Sequence, residues 1–222
     1  MTRESERIIE ALTPFVEPRR IARMATVLSQ RTGRIHVVFE NLHDPQNGAA
    51  GLRSAEALGL HRVHVVESYS PFGFHEEVSC GAEKWMQIER YPTTARCVDA
   101  LRKAGLRIIA ADLTPSARPL ESLALEGPVA VVFGNEHRGV SSQMRRAVDE
   151  SFVLPICGFT QSYNLSVSCA MTLQILRARD RFRGDLSHDE RCRLLASWLY
   201  RDVKGAHEVL RRAGLEPPGV ST

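Results

Sequence analysis

The stretch RIHVVFENLHDPQNGAAGLRSAEALGL (residues 34–60) decides the fold class. Residues 34–41 form a short run rich in β-branched residues, which is typical of a buried strand. A polar turn follows, and apolar residues then recur at helical spacing over residues 49–60. A strand that leads directly into a helix predicts one unit of an α/β layered domain.

The same alternation continues along the chain. Apolar, β-branched runs occupy residues 62–68, 106–112, 128–135 and 151–156, and helical patterns occupy residues 93–106, 141–150 and 164–182. Strands that are apolar throughout are typical of a parallel sheet with both faces covered. The sequence therefore predicts an α/β domain with a mostly parallel sheet over residues 35–182.

Short helical segments flank this domain. Residues 3–30 carry apolar residues at helical spacing, interrupted by two prolines, and residues 187–213 form a polar helical pattern. We predict an N-terminal helical arm at residues 1–34 and a C-terminal helical extension at residues 183–222.

Composition excludes several classes of protein. The 222 residues are 43% hydrophobic and 25% charged, which is typical of globular domains and not of disordered or fibrous chains. No apolar run reaches the roughly 18 residues of a membrane span, and no secretion signal is recognisable at the N-terminus. The five cysteines are widely spaced without a C-x-x-C pair, and the histidines are scattered. We predict a cytoplasmic protein without disulfides, metal or membrane partner.

Positive charge is concentrated at the two ends. Residues 1–34 and 171–222 each carry a net charge of +3, whereas residues 35–170 carry −3. Of the 29 basic residues 26 are arginine, whose planar guanidinium binds phosphate oxygens bidentately. This distribution is compatible with a polyanion held by the flanks, although a GC-rich genome, which encodes arginine in place of lysine, would produce the same excess of arginine.

Polar residues follow the first strand. Ligands of open α/β sheets bind at the carboxyl ends of strands, so these segments carry most functional weight. Asn41, Asp44 and Asn47 form a polar turn, and Arg53 lies on the following helix. An ordinary helix cap at Asp44 or Asn47 would explain the turn equally well.

The segment VVFGNEHRGVSSQM (131–144) has the glycine spacing of a phosphate-binding P-loop at Gly134 and Gly139. Val140 stands where that motif requires lysine, and Glu136 places a negative charge inside the loop, which argues against nucleotide triphosphate binding. Glu136 is either an acceptor for a ligand or a carboxylate near a helix start.

The segment LPICGFTQSYNLSVSCAMTL (154–173) places Ser162 and Asn164 before a helix of small residues. Small residues allow a ligand or backbone to approach closely, but a helix cap explains either polar residue taken alone. The run Ser187-His188-Asp189 in the polar tail predicts a helix cap and not a catalytic triad.

These segments resemble, in this order, the three motifs of the SpoU-type (SPOUT superfamily) RNA ribose 2'-O-methyltransferases. The resemblance is carried by ENLHDPQNGAAGLRSAEALG (40–59), FGNEHRGVS (133–141) and LPICGFTQSYNLSVS (154–168), with CGAEKW (80–85) as a further shared stretch. The layout is similar to the bacterial tRNA guanosine-2'-O-methyltransferase branch. The resemblance implies a deep trefoil knot in the C-terminal part of the sheet, S-adenosylmethionine bound in the knot loops, and a homodimer with active sites near its interface.

The resemblance also implies roles for individual residues. It places catalytic or orienting roles at Asn47, Arg53, Glu136, Ser162 and Asn164. It places cofactor contacts, largely through backbone, at Ala111, Gly134, Leu154, Ile156 and Tyr163.

The family proposal makes the matched arginine, Arg53, the group that draws the proton from the ribose hydroxyl. A guanidinium remains protonated in proteins, which makes it a poor proton acceptor. We therefore expect Arg53 to clamp an RNA phosphate and stabilise the developing oxyanion, while the proton leaves through water or a nearby acceptor.

RNA, and not DNA, is the partner that the resemblance implies. We predict phosphate contacts from arginines on the two arms: Arg19, Arg20, Arg23, Arg177, Arg179, Arg181 and Arg183. Only about 34 residues precede the first strand, which leaves no room for a fused RNA-binding domain and favours tRNA, most simply guanosine 18 of the D-loop. Ribosomal RNA or another tRNA position is the alternative within this class, and a catalytically silent RNA-binding protein is the alternative outside it.

Overall fold

The computed structural model of the protein describes residues 2–69 and 76–219. The chain divides into two compact units, one formed by Gly33–Phe182 and the other by Met1–Thr32 together with Arg183–Thr222. No helix within the described residues is long and apolar enough to cross a membrane.

Helices and strands alternate through the unit Gly33–Phe182. The described helices of the chain are α1 (Thr2–Leu12), α2 (Pro18–Ser29), α3 (Pro45–Ala57), α4 (Glu76–Ser79), α5 (Thr94–Lys103), α6 (Ser142–Ala147), α7 (Leu165–Arg179), α8 (His188–Asp202) and α9 (Ala206–Arg212). The described strands are β1 (Ile35–Glu40), β2 (Arg62–Val66), β3 (Gln87–Tyr91), β4 (Arg107–Ala111), β5 (Arg118–Pro119), β6 (Val129–Phe133) and β7 (Glu150–Val153).

The described strands form one parallel sheet in the order β3-β2-β1-β6-β4-β7-β5. Because successive side chains point to opposite faces, each apolar strand contributes to two cores. Phe39 of β1 packs with Leu52 and Leu173 on one face, whereas Val38 packs with Leu101 and Met144 on the other. Burial of each such side chain contributes about 1.5–3 kcal/mol.

The predicted parallel α/β sheet is confirmed, but two of its strands were not predicted. The strand β3 reads QIERY and lies at the edge of the described sheet, where it pairs with β2. Its side chains are therefore partly exposed and lack a continuous apolar pattern. The strand β5 has only two residues. The predicted strand at residues 151–156 ends earlier, at Val153, and the chain then enters a loop that contains Pro155.

The second unit is helical. The helix α1 packs against α8 and α9, and the largest side chain of its core is Trp198, which is buried. Ser187 and Glu190 form a capping box at the start of α8, so the predicted helix cap in the Ser187-His188-Asp189 run is confirmed. Arg20 on α2 binds Asp202 through Nε and Nη2, at 3.2 and 3.0 Å.

Two buried histidines lie side by side on β1 and β2. His36 Nδ1 is 2.9 Å from His64 Nε2, and His64 Nδ1 is 3.1 Å from the Tyr91 hydroxyl, which donates to Glu89 at 2.6 Å. Burial, together with the positive charge of Arg62, lowers the pKa of His36 to about 3 and that of His64 to about 4. Both rings are therefore neutral in the folded protein at neutral pH.

The buried pair predicts loss of stability in mild acid. Below pH 6.5 the two histidines become protonated in the unfolded chain but stay neutral in the folded protein. The free energy of unfolding should therefore fall from pH 6.5 toward pH 4, by about 1.4 kcal/mol per pH unit for each ring. Urea unfolding measured against pH tests this. His36→Asn should reduce the slope, whereas the same change at exposed His207 should not; equal slopes in all three proteins would contradict the prediction.

Candidate active site

The loop between β1 and α3 is held by its own polar residues. Asn41 adopts a left-handed conformation (φ 52°), and its side-chain oxygen accepts a hydrogen bond from the Ser68 backbone N–H at 2.7 Å. The Asp44 carboxylate caps α3 by accepting from the Gln46 N–H at 2.9 Å, with Pro45 in the first turn. Asp44 is thus the helix cap that the sequence suggested, and Asn47 is left for another role.

The loop after β6 closes on itself. The backbones of Asn135 and Gly139 exchange hydrogen bonds at 3.0 and 2.8 Å. The Asn135 side chain accepts from the N–H groups of His137 and Arg138 and donates to the Asn41 carbonyl at 2.7 Å. This loop is therefore fastened to the first loop across the carboxyl edge of the sheet.

Glu136 projects from this closed loop into a set of donors. Its carboxylate accepts from the His43 N–H at 2.7 Å, the Asp44 N–H at 3.2 Å and the Asn47 side-chain amide at 3.1 Å. Burial alone would raise the pKa of Glu136, but these hydrogen bonds and one from its own N–H outweigh it and lower the pKa below its ordinary value. Glu136 is therefore an ionised anchor of the first loop.

The third segment joins the same network through Asn164. Its side-chain amide donates to Asn47 Oδ1 at 2.9 Å, while its own oxygen caps α7 by accepting from the backbone N–H and hydroxyl of Ser166. Asn47 consequently lies between Glu136 and Asn164, donating to one and accepting from the other. The three segments predicted to act together do meet, and this continuous hydrogen-bonded relay fixes the orientation of the Asn47 amide.

The relay predicts a specific cost for Glu136→Gln. Glutamine presents an NH₂ group where a carboxylate oxygen accepts, so one backbone N–H loses its partner and the protein should lose about 1–3 kcal/mol at neutral pH. Because the folded pKa of Glu136 is lowered, this difference should shrink as the pH falls below 4.5. Urea unfolding of both proteins at pH 7 and below pH 4.5 measures the difference in their free energies of unfolding. Glu126→Gln, at an exposed position, is the control; an equal loss there would contradict the assignment.

Arg53 and Ser162 stay outside this relay. Both side chains are exposed, and neither has a hydrogen bond or ion pair within the part of the chain that the structure describes. The structure thus brings together Asn47, Glu136 and Asn164 among the five predicted catalytic residues. Arg53 remains available to an external anion.

The predicted cofactor residues lie at the ends of adjacent strands. Ala111, the last residue of β4, is in register with Phe133 of β6 and Phe152 of β7. Gly134 and Leu154 directly follow β6 and β7, so three predicted cofactor residues share one edge of the sheet.

The loop after β7 presents unused hydrogen-bond donors. The Tyr163 hydroxyl donates to the Pro155 carbonyl at 2.9 Å and closes the loop. Across residues 156–163, no backbone N–H donates to another described residue. Leu154 and Ile156 are half-buried, and Leu113, just after β4, is 68% exposed. An apolar surface can bind an adenine ring, and free backbone N–H groups can bind the carboxylate of an amino-acid group. S-adenosylmethionine contains both groups.

Two further charged residues at this edge of the sheet, Glu40 and Asp112, were not identified as candidates in the sequence analysis. Glu40, 1% exposed, accepts from the Thr94 hydroxyl at 2.8 Å and from the backbone and hydroxyl of Ser141 at 2.8 and 2.7 Å. Asp112 binds Arg145 through two hydrogen bonds. A carboxylate ending an apolar strand was the available signal for Glu40, because such a buried charge needs partners.

One predicted RNA contact is wrong. Arg177 is 1% exposed: its Nε donates to the Leu58 carbonyl at 2.8 Å, and its guanidinium lies 5.7 Å from the centre of the Phe182 ring. The reason is that α7 packs against α3, which turns position 177 inward. Arg177 is a structural residue and is not accessible to a phosphate.

The other predicted RNA contacts lie at exposed positions. The guanidinium of Arg179 donates to the carbonyls of Leu120 and Leu123, at 2.9 and 3.2 Å, and that of Arg20 is paired with Asp202. The remaining exposed arginines of the set are Arg19, Arg23, Arg181 and Arg183.

Comparison with known proteins gives consistent matches. The model of the SpoU rRNA Methylase family matches residues 34–174. The chain is 34% identical to the tRNA (guanosine(18)-2'-O)-methyltransferase of Borreliella burgdorferi, over 77% of this chain and 78% of that protein, and 32% identical to the Thermus thermophilus enzyme of the same name, over 80% and 94%. It is similar in structure to the Aquifex aeolicus TrmH/SpoU tRNA modifying enzyme, with a TM-score of 0.75, 27% identity and coverage of 84% of this chain and 98% of that one.

Proposed function

The chain belongs to the SpoU rRNA Methylase family, and on this premise we propose that it methylates the ribose 2'-hydroxyl of guanosine 18 in tRNA. It is an RNA 2'-O-methyltransferase, and S-adenosylmethionine, which solved structures of similar methyltransferases contain, is the proposed methyl donor. The observation that carries the proposal is the relay from Glu136 through Asn47 to Asn164, which joins all three sequence motifs at the carboxyl edge of the sheet.

The reaction requires positioning more than covalent chemistry from the protein. S-adenosylmethionine, when bound, supplies a methyl carbon activated by its sulfonium. The chain must hold the ribose hydroxyl in line with that carbon and stabilise the negative charge that develops on the oxygen. The hydrogen-bonded relay is proposed to supply the positioning. The exposed guanidinium of Arg53, which has no partner among the described residues, is proposed to stabilise the charge.

Arg53 is proposed as the phosphate clamp and oxyanion stabiliser. Its guanidinium is exposed and has no partner among the described residues, so binding RNA does not require an existing ion pair to break. Asn47 lies on the same helix, α3, and is fixed by the relay. Ser162, exposed in the loop before α7, is proposed to orient Arg53 or the ribose.

The cofactor is proposed to lie against Ala111, Gly134, Leu154, Ile156 and Tyr163. The strand ends that carry the first three residues are adjacent, and the loop that carries the last two has backbone donors without protein acceptors among the described residues. Backbone donors of this kind can bind the carboxylate and the adenine nitrogens of a ligand.

The proposal extends to a trefoil knot, a homodimer and a cytoplasmic location. The knot in the C-terminal part of the sheet is proposed because the chain belongs to this family. Val167 on α7 and Phe159 in the preceding loop are exposed apolar side chains, which suit a dimer interface. The five cysteines are all free, as is usual in a reducing compartment.

The arms are proposed to hold the RNA backbone, and this predicts a salt dependence. Replacing Arg19 and Arg23 together by alanine should make the plot of log association constant against log salt concentration less steep by about 2. The reason is that each phosphate contact contributes about one unit to this slope. Filter binding of tRNA over a salt series measures the slope. The control is Arg211→Ala on α9, whose guanidinium is paired with Glu208; an unchanged slope in the double variant would contradict the proposed contacts.

The function is tested by transfer of labelled methyl from S-adenosylmethionine to unmodified tRNA, with nuclease mapping of the label. We expect 2'-O-methylguanosine at position 18. A tRNA carrying 2'-deoxyguanosine at that position lacks the acceptor oxygen and should remain unlabelled. Label in ribosomal RNA alone, or at another tRNA position, would overturn the assignment of the substrate, and cofactor binding without label in any RNA would favour a silent RNA-binding protein.

A further inference from the structure

Three side chains that can bind a metal meet in the helical unit, and methyl transfer has no use for them. They are Glu6 on α1 and His188 and Cys192 on α8. Their ligand atoms all lie within 4.8 Å of one another. His188 Nε2 is 3.4 Å from Glu6 Oε1 and also 3.4 Å from Cys192 Sγ.

The backbone explains why these atoms converge. Residues four positions apart on a helix lie on the same face, one turn from each other, so His188 and Cys192 form a two-ligand site on α8 alone. The helix α1 packs against α8 within the same unit and brings Glu6 to this face. The cluster therefore rests on helix geometry and on one packed helix pair.

Two of the three ligand separations match those of a tetrahedral metal site. Zinc binds histidine nitrogen and carboxylate oxygen at about 2.0–2.2 Å and cysteine sulfur at about 2.3 Å. A tetrahedral angle then separates the nitrogen from the oxygen by about 3.4 Å and from the sulfur by about 3.6 Å. The two corresponding separations in the structure, both 3.4 Å, are close to these values.

One proton on His188 Nε2 can serve only one of its two neighbours in the cluster. If Nε2 of His188 carries a proton, the proton can point at the Glu6 carboxylate or at the Cys192 sulfur, and the other atom is left with a poor contact. If Nε2 is unprotonated, its lone pair accepts from the thiol but faces a carboxylate. A cation placed between the three atoms is attractive to all of them.

We propose that Glu6, His188 and Cys192 form a binding site for a divalent transition metal of the zinc class, with water as the fourth ligand. The thiol loses its proton when it binds the metal, so one proton is released to solvent. Glu6 and His188 are 182 residues apart in the chain. A metal at this point clips the first helix to the C-terminal extension and stabilises the helical unit.

The test uses the full chain without an affinity tag, stripped of metal with a chelator and titrated with Co²⁺ as a spectroscopic probe of zinc sites. We expect one equivalent to bind, with visible bands typical of tetrahedral cobalt and a near-ultraviolet sulfur-to-cobalt band. Zn²⁺ should displace the cobalt and remove the colour. Zn²⁺ should also raise the melting temperature of the chain.

Variants identify the ligands. Cys192→Ser should abolish the sulfur band, and the matched control Cys80→Ser, at an exposed cysteine outside the cluster, should retain it. His188→Ala changes an exposed side chain, which protects the fold, and should weaken cobalt binding by at least about 100-fold. Absence of saturable binding, or a sulfur band that persists in Cys192→Ser, would overturn the proposal, and neither result depends on methyltransferase activity.

Discussion

Replacement of Arg53 by alanine is expected to lower kcat for methyl transfer to tRNA by about 10²–10³-fold, the usual cost of removing one donor that stabilises a developing oxyanion. Arg53 lies on α3, exposed and without a partner in the described part of the chain, so its loss should leave the stability of the fold unchanged. Single-turnover methyl transfer and the affinity for S-adenosylmethionine, measured on the same preparation, separate a chemical defect from a cofactor-binding defect.

The lysine variant tests the geometry of the clamp. Arg53→Lys keeps the positive charge but loses the planar fork that binds two phosphate oxygens at once, so turnover should remain at least about tenfold below that of the parent protein. Arg96→Ala, at an exposed position on α5, is the matched control and should have parental turnover. Near-full activity of Arg53→Lys would contradict a fork-specific role and leave only a role for charge.

Gly134→Ala is expected to disrupt the loop after β6. A Cβ at this position would lie closer than 3.0 Å to backbone atoms of Gly139 and Val140, and no flexible side chain is present to move aside. The two backbone hydrogen bonds between Asn135 and Gly139 must then break, and Glu136, which lies in the same loop, must shift. We expect a loss of about 1–3 kcal/mol in stability, together with loss of cofactor binding and of activity.

The chain contains a matched control for this substitution. Gly219, in the helical unit and outside the proposed site, has no atom other than those of its chain neighbours within 4 Å of an added Cβ, so Gly219→Ala should change stability by less than about 0.5 kcal/mol. Calorimetric binding of S-adenosylmethionine and urea unfolding of both variants provide the comparison. Parental cofactor affinity in Gly134→Ala would show that the closed loop is unnecessary for binding.

Local patterns were sufficient for five of the seven described strands of the sheet. Strands β1, β2, β4 and β6 are largely apolar because both of their faces are buried, so composition alone marked them. In β7 only Phe152 is fully buried, and the apolar run that marked this strand extends past its end at Val153. The helix cap at Ser187 was also predictable, because a cap depends on residues within one turn. Strand β3 escaped because it lies at the edge of the sheet, where burial is partial and the pattern mixes charge with apolar residues.

The residues of the site were predicted, but their mutual contacts were not, because these residues are far apart in the sequence. The motifs identified Asn47, Glu136 and Asn164 as candidates, but their contacts join positions 89 and 117 residues apart. Whether Asp44 or Asn47 caps α3 was undecided in the sequence, because both are good capping residues. The structure assigns the cap to Asp44 and leaves Asn47 to bridge the other two segments.

The sequence by itself determined the order of five strands and of the main helices, the polar segments that follow three of those strands, and the arginine-rich ends. Only the tertiary structure decided that Arg177 is buried, that Glu136 anchors the first loop, and that Glu6 meets Cys192. The periodicity of the sequence shows which face of a helix or strand is apolar, because the residue type at each position reflects the solvent exposure of that position. It does not record which element covers that face, because packing partners are chosen by the folded chain as a whole.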